Sequence, residues 1–224
     1  LEMMKSIDFE SNSQDSEEER DKIDTQEEED ETTPPIITIN HTQSSTQTTY
    51  ALSRKLKSTI RGKRYYYYFY SNSEPIYCAK AKTRYPDSVI PICAGTKVHL
   101  NGESQFSLEI DQQNGTYSLR KGNKSGEVML TLKIFLDSAL LLLPRHVDIQ
   151  IMPSIGHPKM SLTTKKPKMS SRGNWILDFH NKFTIPSEKN MIFVSSTDKD
   201  GDDLLLTRKI SSNNMEIDSY TDIP

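Results

Sequence analysis

Two cysteines, one tryptophan and nine glycines are few for 224 residues. Cys78 and Cys93 are too few for a disulfide framework or a four-ligand zinc site, so both are expected as reduced thiols in a cytosolic or nuclear protein. Long apolar runs are scarce too. The longest, Ala139 to Leu143, is far short of the roughly 20 residues that a membrane-crossing helix needs. No basic-then-apolar leader stands at the start, so no secretory signal is expected. Glycine-rich phosphate loops and nucleophile elbows are missing. His41, His99, His146, His157 and His180 are scattered, without a pair at metal-ligand spacing. No catalytic constellation, metal site or cofactor motif remains, and the chain reads as a non-enzyme.

Charge is present but unevenly spread. Residues 1–50 hold 14 acids and 3 bases, a net of −11, which leaves +8 on the other 174 residues. Acidic blocks at Glu17–Glu19 and Glu27–Glu31 lack the apolar residues needed for a core, so this arm is expected to be disordered. Pro34-Pro35 and the polar run Thr42–Thr49 read as linker. Two short apolar patches, Leu1–Phe9 and Ile36–Ile39, are the arm's candidates for docking a protein partner. The basic body is expected to meet an anionic partner, a membrane surface or nucleic acid.

From Ala51 onward short alternating runs are broken by turn signals. Tyr65–Tyr70 is six consecutive aromatics, which favours strand, and alternation turns three of the six rings into a core. Asn72-Ser73-Glu74-Pro75 then turns the chain. Ile76–Lys82, Phe106–Asp111, Thr116–Arg120, Glu127–Phe135, His146–Met152, Trp175–His180, Met191–Val194 and Leu204–Ile210 read as strands. Asn114-Gly115, Gly122–Gly126 and Asp198–Asp203 read as turns. The last of these starts like a calcium loop but has Lys209 at the twelfth position, where a glutamate belongs, so a hairpin turn is expected. Only Asp137–Leu143 is a candidate helix. Many short strands at spacings of roughly 8–12 residues argue an antiparallel sandwich or barrel.

The densest functional signal is Arg54, Lys55, Lys57, Arg61, Lys63 and Arg64, in a stretch with no acid between Leu52 and Ser73. On an extended strand Lys55 and Lys57 point the same way, about 7 Å apart, a spacing that suits a polyphosphorylated headgroup. A solvated strand edge guarded by lysines would look the same. Basic residues beside aromatics also suit a single-strand nucleic-acid reader, although contiguous rings must alternate faces.

Three stretches resemble the C-terminal domain of the tubby family. Lys55-Leu56-Lys57-Ser58-Thr59-Ile60-Arg61-Gly62-Lys63-Arg64-Tyr65 is similar to the family's Lys-Leu-Arg-Ser-Asn-Leu-x-Gly-Thr-Lys-Phe block. Leu140-Leu141-Leu142-Leu143-Pro144-Arg145 is similar to its Gly-Pro-Arg block. Lys166-Pro167-Lys168-Met169, Trp175–Thr184 and Ser187-Glu188-Lys189-Asn190 run parallel to its Lys-x-Pro, Tyr-x-Leu-Asn-Phe-x-Gly-Arg-Val-Thr and Ser-Val-Lys-Asn-Phe blocks. Asn181 replaces the family's glycine there, which suits a positive φ.

The resemblance implies an all-β fold, an antiparallel closed barrel of about twelve strands around a central apolar helix, over residues 51–224. Residues 211–224 are too polar to be that helix, so a truncated, divergent member is expected. It further implies binding of phosphatidylinositol 4,5-bisphosphate through Lys55, Lys57 and Arg145 with Tyr68 beside them, and Arg54, Arg61, Lys63 and Arg64 as a supporting basic patch. A monomeric adaptor linking membrane cargo to trafficking would follow, cytoplasmic and peripheral to the plasma membrane, with ciliary or nuclear roles. The alternative reading is a DNA-binding transcription regulator with the acidic arm as an activation segment.

Overall fold

A computed structural model describes residues 47–60, 62–83, 89–98, 104–135, 145–154, 157–173 and 175–220. Residues 1–46 of the acidic arm, Arg61, the candidate helix 137–143 and the apolar run before Arg145 lie outside the described residues. Among the described residues fourteen strands form: β1 (Thr48–Thr59), β2 (Gly62–Ser71), β3 (Glu74–Ala81), β4 (Ile90–Ala94), β5 (Phe106–Asp111), β6 (Thr116–Lys121), β7 (Val128–Phe135), β8 (His146–Ile151), β9 (Met160–Thr164), β10 (Lys168–Met169), β11 (Trp175–Ile176), β12 (Met191–Ser195), β13 (Leu205–Lys209) and β14 (Asn214–Ser219). Twelve of them close an antiparallel barrel in the order β1-β14-β13-β12-β9-β8-β7-β6-β5-β4-β3-β2, while β10 and β11 make a separate two-stranded sheet. Strand spacing leaves sandwich or barrel open, and the fold is the all-β closed barrel that the resemblance implies. No helix occurs among the described residues. Closure abolishes the sheet edges that an open array of this size would expose.

Several neighbouring strands are joined by short turns. Asn72 and Ser73, with φ of 50° and 65°, form the two-residue turn between β2 and β3, where Ser71 pairs with Glu74. Positive φ at both central residues matches the right-handed twist of a hairpin, and asparagine tolerates it well. At the β5–β6 turn the Asp111 carboxylate accepts hydrogen bonds from the Asn114 N–H (3.1 Å) and its side-chain amide (2.7 Å). These bonds hold its pKa below the ordinary carboxylate value. Gly115 has φ +63°, and a Cβ there would sit 2.5 Å from the Ile134 carbonyl oxygen. That turn needs glycine because β7 crosses so close to it.

Sheet closure depends on β14. It pairs with β1 from Thr48↔Ser219 to Ser53↔Asn214 and with β13 from Leu205↔Ser219 to Lys209↔Met215. Within the polar C-terminal stretch, Asn214–Ser219 is thus a strand. The sheet also begins at Thr48, inside the run that reads as linker.

Two apolar clusters form on opposite faces of the ring. One gathers Ala51, Tyr66, Tyr68, Tyr70, Cys78 and Cys93. The three alternate tyrosines are 2 %, 0 % and 1 % exposed, as strand alternation requires. On the other face of the same strands Tyr50 stacks on Phe69 (5.4 Å between centroids), Phe69 neighbours Tyr77 (6.5 Å), and Tyr77 meets Phe106 edge-on (5.5 Å). The second cluster, Val147, Ile149, Ile151, Leu162 and Phe193, lies on that other face, further round the ring.

Residues 165–190 make an excursion between β9 and β12. Trp175–His180 is strand only at Trp175 and Ile176. His180 and Asn181 adopt φ of 55° and 59°, which breaks an extended run and gives Asn181 the conformation expected of it. The excursion is tied back to the ring by Ile185 N–H to the Lys209 carbonyl (2.9 Å) and by Arg208 Nη1 to the Phe183 carbonyl (2.9 Å).

Candidate functional site

The β1–β2 hairpin is longer than its neighbours. β14 accompanies β1 only as far as Ser53, and β3 accompanies β2 only as far as Tyr65. β1 and β2 stay paired to Thr59↔Gly62. The arms beyond the paired neighbours, Lys57–Thr59 and Gly62–Arg64, therefore project by about 10 Å, at some 3.3 Å per residue.

Register sorts the cations of this hairpin by face. Lys55 lies opposite Tyr66, and Lys57 lies opposite Arg64. All four continue the face that carries Ala51, Ser53 and Tyr68. Tyr66 pairs on its other side with Lys80 of β3, whose Nζ lies 5.3 Å from the Tyr66 ring centroid. Lys55, Lys57, Arg64 and Lys80 thus share one face around a buried tyrosine ring. Below them Ser53 donates to the Asn214 side-chain oxygen (2.9 Å), a neutral polar floor. Arg54 and Lys63 fall on the opposite face. The Arg54 guanidinium lies 5.9 Å over the Tyr65 ring and donates to the Asn213 side-chain oxygen (2.9 Å). Arg64 donates to the Lys63 carbonyl (3.0 Å).

This arrangement assembles part of the expected site. Lys55, Lys57 and Arg64 come together. Arg145 does not join them. It stands before β8, five strands round the ring from β1, and its guanidinium pairs with Glu188 at 2.8 Å. Tyr68 is fully buried opposite Ser53 and packs in the core, so its ring offers no face to a ligand. Lys80 was missed by sequence reading. Alternation over Ile76–Lys82 marks its face, but only the β2–β3 register brings it beside Tyr66.

A second charged cluster is built differently. Arg208 and Asp218 are 4 % and 0 % exposed. Arg208 Nε donates to Asp218 Oδ2 (2.8 Å) and its Nη2 to Glu216 Oε2 (2.6 Å). Lys182 Nζ lies 3.2 Å from Asp218 Oδ2, and the Thr49 hydroxyl (2.7 Å) and Gln47 amide (2.9 Å) donate to Oδ1. Burial pushes the Asp218 carboxyl up, but the hydrogen bonds from Arg208 and Thr49 and the charges of Arg208 and Lys182 outweigh it and hold the pKa below the ordinary value. The cluster ties the start of β1 to β13, β14 and the excursion, which is a structural role.

A third group, Lys165 with Asp203 (2.6 Å) and His180 with Asp203 (3.1 Å), anchors the excursion to the turn before β13. The turn at Asp198–Asp203 holds no metal-ligand cluster, and no such cluster occurs among the described residues. The sequence matches no protein-family model, and no curated protein matches it.

Proposed function

We propose that this protein is a peripheral phosphoinositide-binding adaptor of the tubby type, which engages phosphatidylinositol 4,5-bisphosphate through the basic face of its β1–β2 hairpin. The observation that carries the reading is the convergence of Lys55, Lys57, Arg64 and Lys80 on one face, in a stretch with no acid between Leu52 and Ser73. Clustered ammonium and guanidinium groups suit adjacent phosphates on one headgroup. Supporting it, the closed twelve-strand antiparallel ring is the architecture that the tubby resemblance implies. Lys55 and Lys57 carry the headgroup, Arg64 and Lys80 widen the basic face, and Arg145 is left outside the site. A single-strand nucleic-acid reading finds no stacking platform in Tyr66, Tyr68 and Tyr70, whose rings are buried. A duplex-DNA reading draws on the same positive charge and is separated by its salt dependence.

Co-sedimentation of the full chain with vesicles tests this. The vesicles carry phosphatidylinositol 4,5-bisphosphate or a charge-matched amount of phosphatidylserine. Each lysine near an anionic leaflet is worth about 1 kcal/mol, so Lys55→Ala/Lys57→Ala should weaken binding about thirty-fold. Preference for the phosphoinositide, lost in the double variant, is the expected result. Equal binding to both lipids would reduce the face to a nonspecific basic surface. Binding to duplex DNA with a steep salt slope, and to neither vesicle, would replace the lipid reading.

A further inference from the structure

The hairpin's tip carries a second feature. Ile60, between Thr59 and Gly62, is as exposed as in an extended peptide (108 %), and Leu56 on the arm behind it is 48 % exposed. A lone exposed aliphatic is ordinary on a protein surface. This one stands at the end of the segment that projects past its neighbours, with Lys57, Arg61, Lys63 and Arg64 within four residues of it in sequence.

We infer that the β1–β2 hairpin inserts its tip into the membrane, with Ile60 entering the acyl boundary while Lys57, Lys63 and Arg64 stay among the headgroups. The inference rests on the phosphoinositide reading above and makes its source a bilayer rather than a free inositol phosphate. Dimensions fit. Ile60 lies three residues beyond Lys57, about 10 Å along the strand. The headgroup layer on each side of a bilayer is about 5–8 Å thick. Cations seated at phosphate level therefore put the tip at the edge of the hydrocarbon. Lysine stems extend to keep their ammonium groups in the polar layer as the backbone sinks. Charge argues the same occupant. A protein groove would have to supply several acids around one apolar socket, whereas an anionic leaflet has both layers in this order over its whole area.

Two variants of the full chain test the inference, with soluble inositol 1,4,5-trisphosphate as a second ligand. Ile60→Ser should weaken binding to phosphatidylcholine vesicles doped with phosphatidylinositol 4,5-bisphosphate by about five-fold, the scale expected for partial burial of one aliphatic side chain. It should leave trisphosphate affinity unchanged. Ile60→Trp should be quenched by lipids brominated in the upper acyl chain, while the wild-type protein, with Trp175 alone, is not. Unchanged vesicle binding by Ile60→Ser, with binding lost in Lys55→Ala/Lys57→Ala, would overturn insertion and leave the headgroup reading standing. Equal losses toward vesicles and trisphosphate would overturn it too, by making Ile60 part of the headgroup site. Unchanged binding by both variants would overturn both readings.

Discussion

Arg208 and the Lys55, Lys57 and Arg64 side chains of the β1–β2 hairpin stand on the same face of the sheet in different settings. By register that face runs from Arg208 through Glu216 and Ala51 to Lys55 and Lys57. Arg208 is buried with Asp218 and Glu216 as its fixed counter-charges, and Lys182 shares Asp218. The hairpin lies in a stretch of 22 residues, Leu52–Ser73, without an acid, and its arms reach past the neighbouring strands. Charge surrounded by matched partners holds a fold together. Charge of one sign, gathered on a projecting element, is what the phosphoinositide reading of the hairpin draws on. The difference separates a structural cluster from a candidate binding surface without any appeal to conservation.

The largest expected effect breaks the structural side of this comparison. Asp218→Ala leaves the buried Arg208 with Glu216 alone as counter-charge and the half-buried Lys182 without its carboxylate. Removing one partner of a buried ion pair costs about 3–5 kcal/mol. Lys55→Ala/Lys57→Ala, by contrast, should change stability by no more than about 0.5 kcal/mol, as surface substitutions do. Urea denaturation of both variants measures the gap. A double lysine variant that unfolds as readily as Asp218→Ala would show that the hairpin's charge is structural after all.

Much of the fold was legible in the sequence because it rests on local rules. Alternation marks β5, β6, β7, β8 and the buried rings of β2, and turn residues mark most connections. Asn181 could be assigned a positive φ in advance from the replaced glycine. What was not legible depends on pairs distant along the chain. β14 looks like a polar tail, and it becomes a strand because β1, some 165 residues away in sequence, offers a free edge. Trp175–His180 looks extended, yet positive φ at His180 ends the run early. For the site, the lysine face was readable from spacing alone. The place of Arg145 was not, since the family resemblance supplied its proximity and the strand order removes it. Arg208 reads as one more basic residue, and nothing local to it announces its burial.

A mid-sized effect sharpens the comparison from the apolar side of the same face. Cys78 and Cys93 are buried cross-strand partners of β3 and β4. Burial, and then the nearby Cys93, push the Cys78 thiol from 9.0 up to about 11. Between these values the unfolded chain has released the proton and the folded chain still holds it. The folded state then binds more protons, so stability falls as pH rises through this window. Tyr70, pushed by burial from 10.0 up to about 12, adds the same sign at higher pH. Denaturant midpoints should drop between pH 9 and 11, and Cys78→Ala should shallow that slope. An equally steep slope in Cys78→Ala would assign it to other groups.

The smallest expected effect concerns Lys80, the member of the basic face that only strand register reveals. Its ammonium sits over the Tyr66 ring at 5.3 Å. A partly exposed cation–π contact is worth about 0.5–1 kcal/mol, so Lys80→Gln should lower stability by no more than that. If Lys80 also belongs to the lipid-facing surface, the same substitution should weaken phosphoinositide-vesicle binding about five-fold, since one cation near an anionic leaflet contributes about 1 kcal/mol. The two readouts separate two roles. A loss of stability with vesicle binding intact would confine Lys80 to packing on Tyr66, and the binding face would shrink to the hairpin itself. Weaker binding with stability intact would extend the face from β1 and β2 onto β3, beyond the segment that the lysine spacing alone picks out. Lys80→Arg keeps the charge and stacks at least as well on an aromatic ring, so it should restore binding in either case where charge is what the membrane reads.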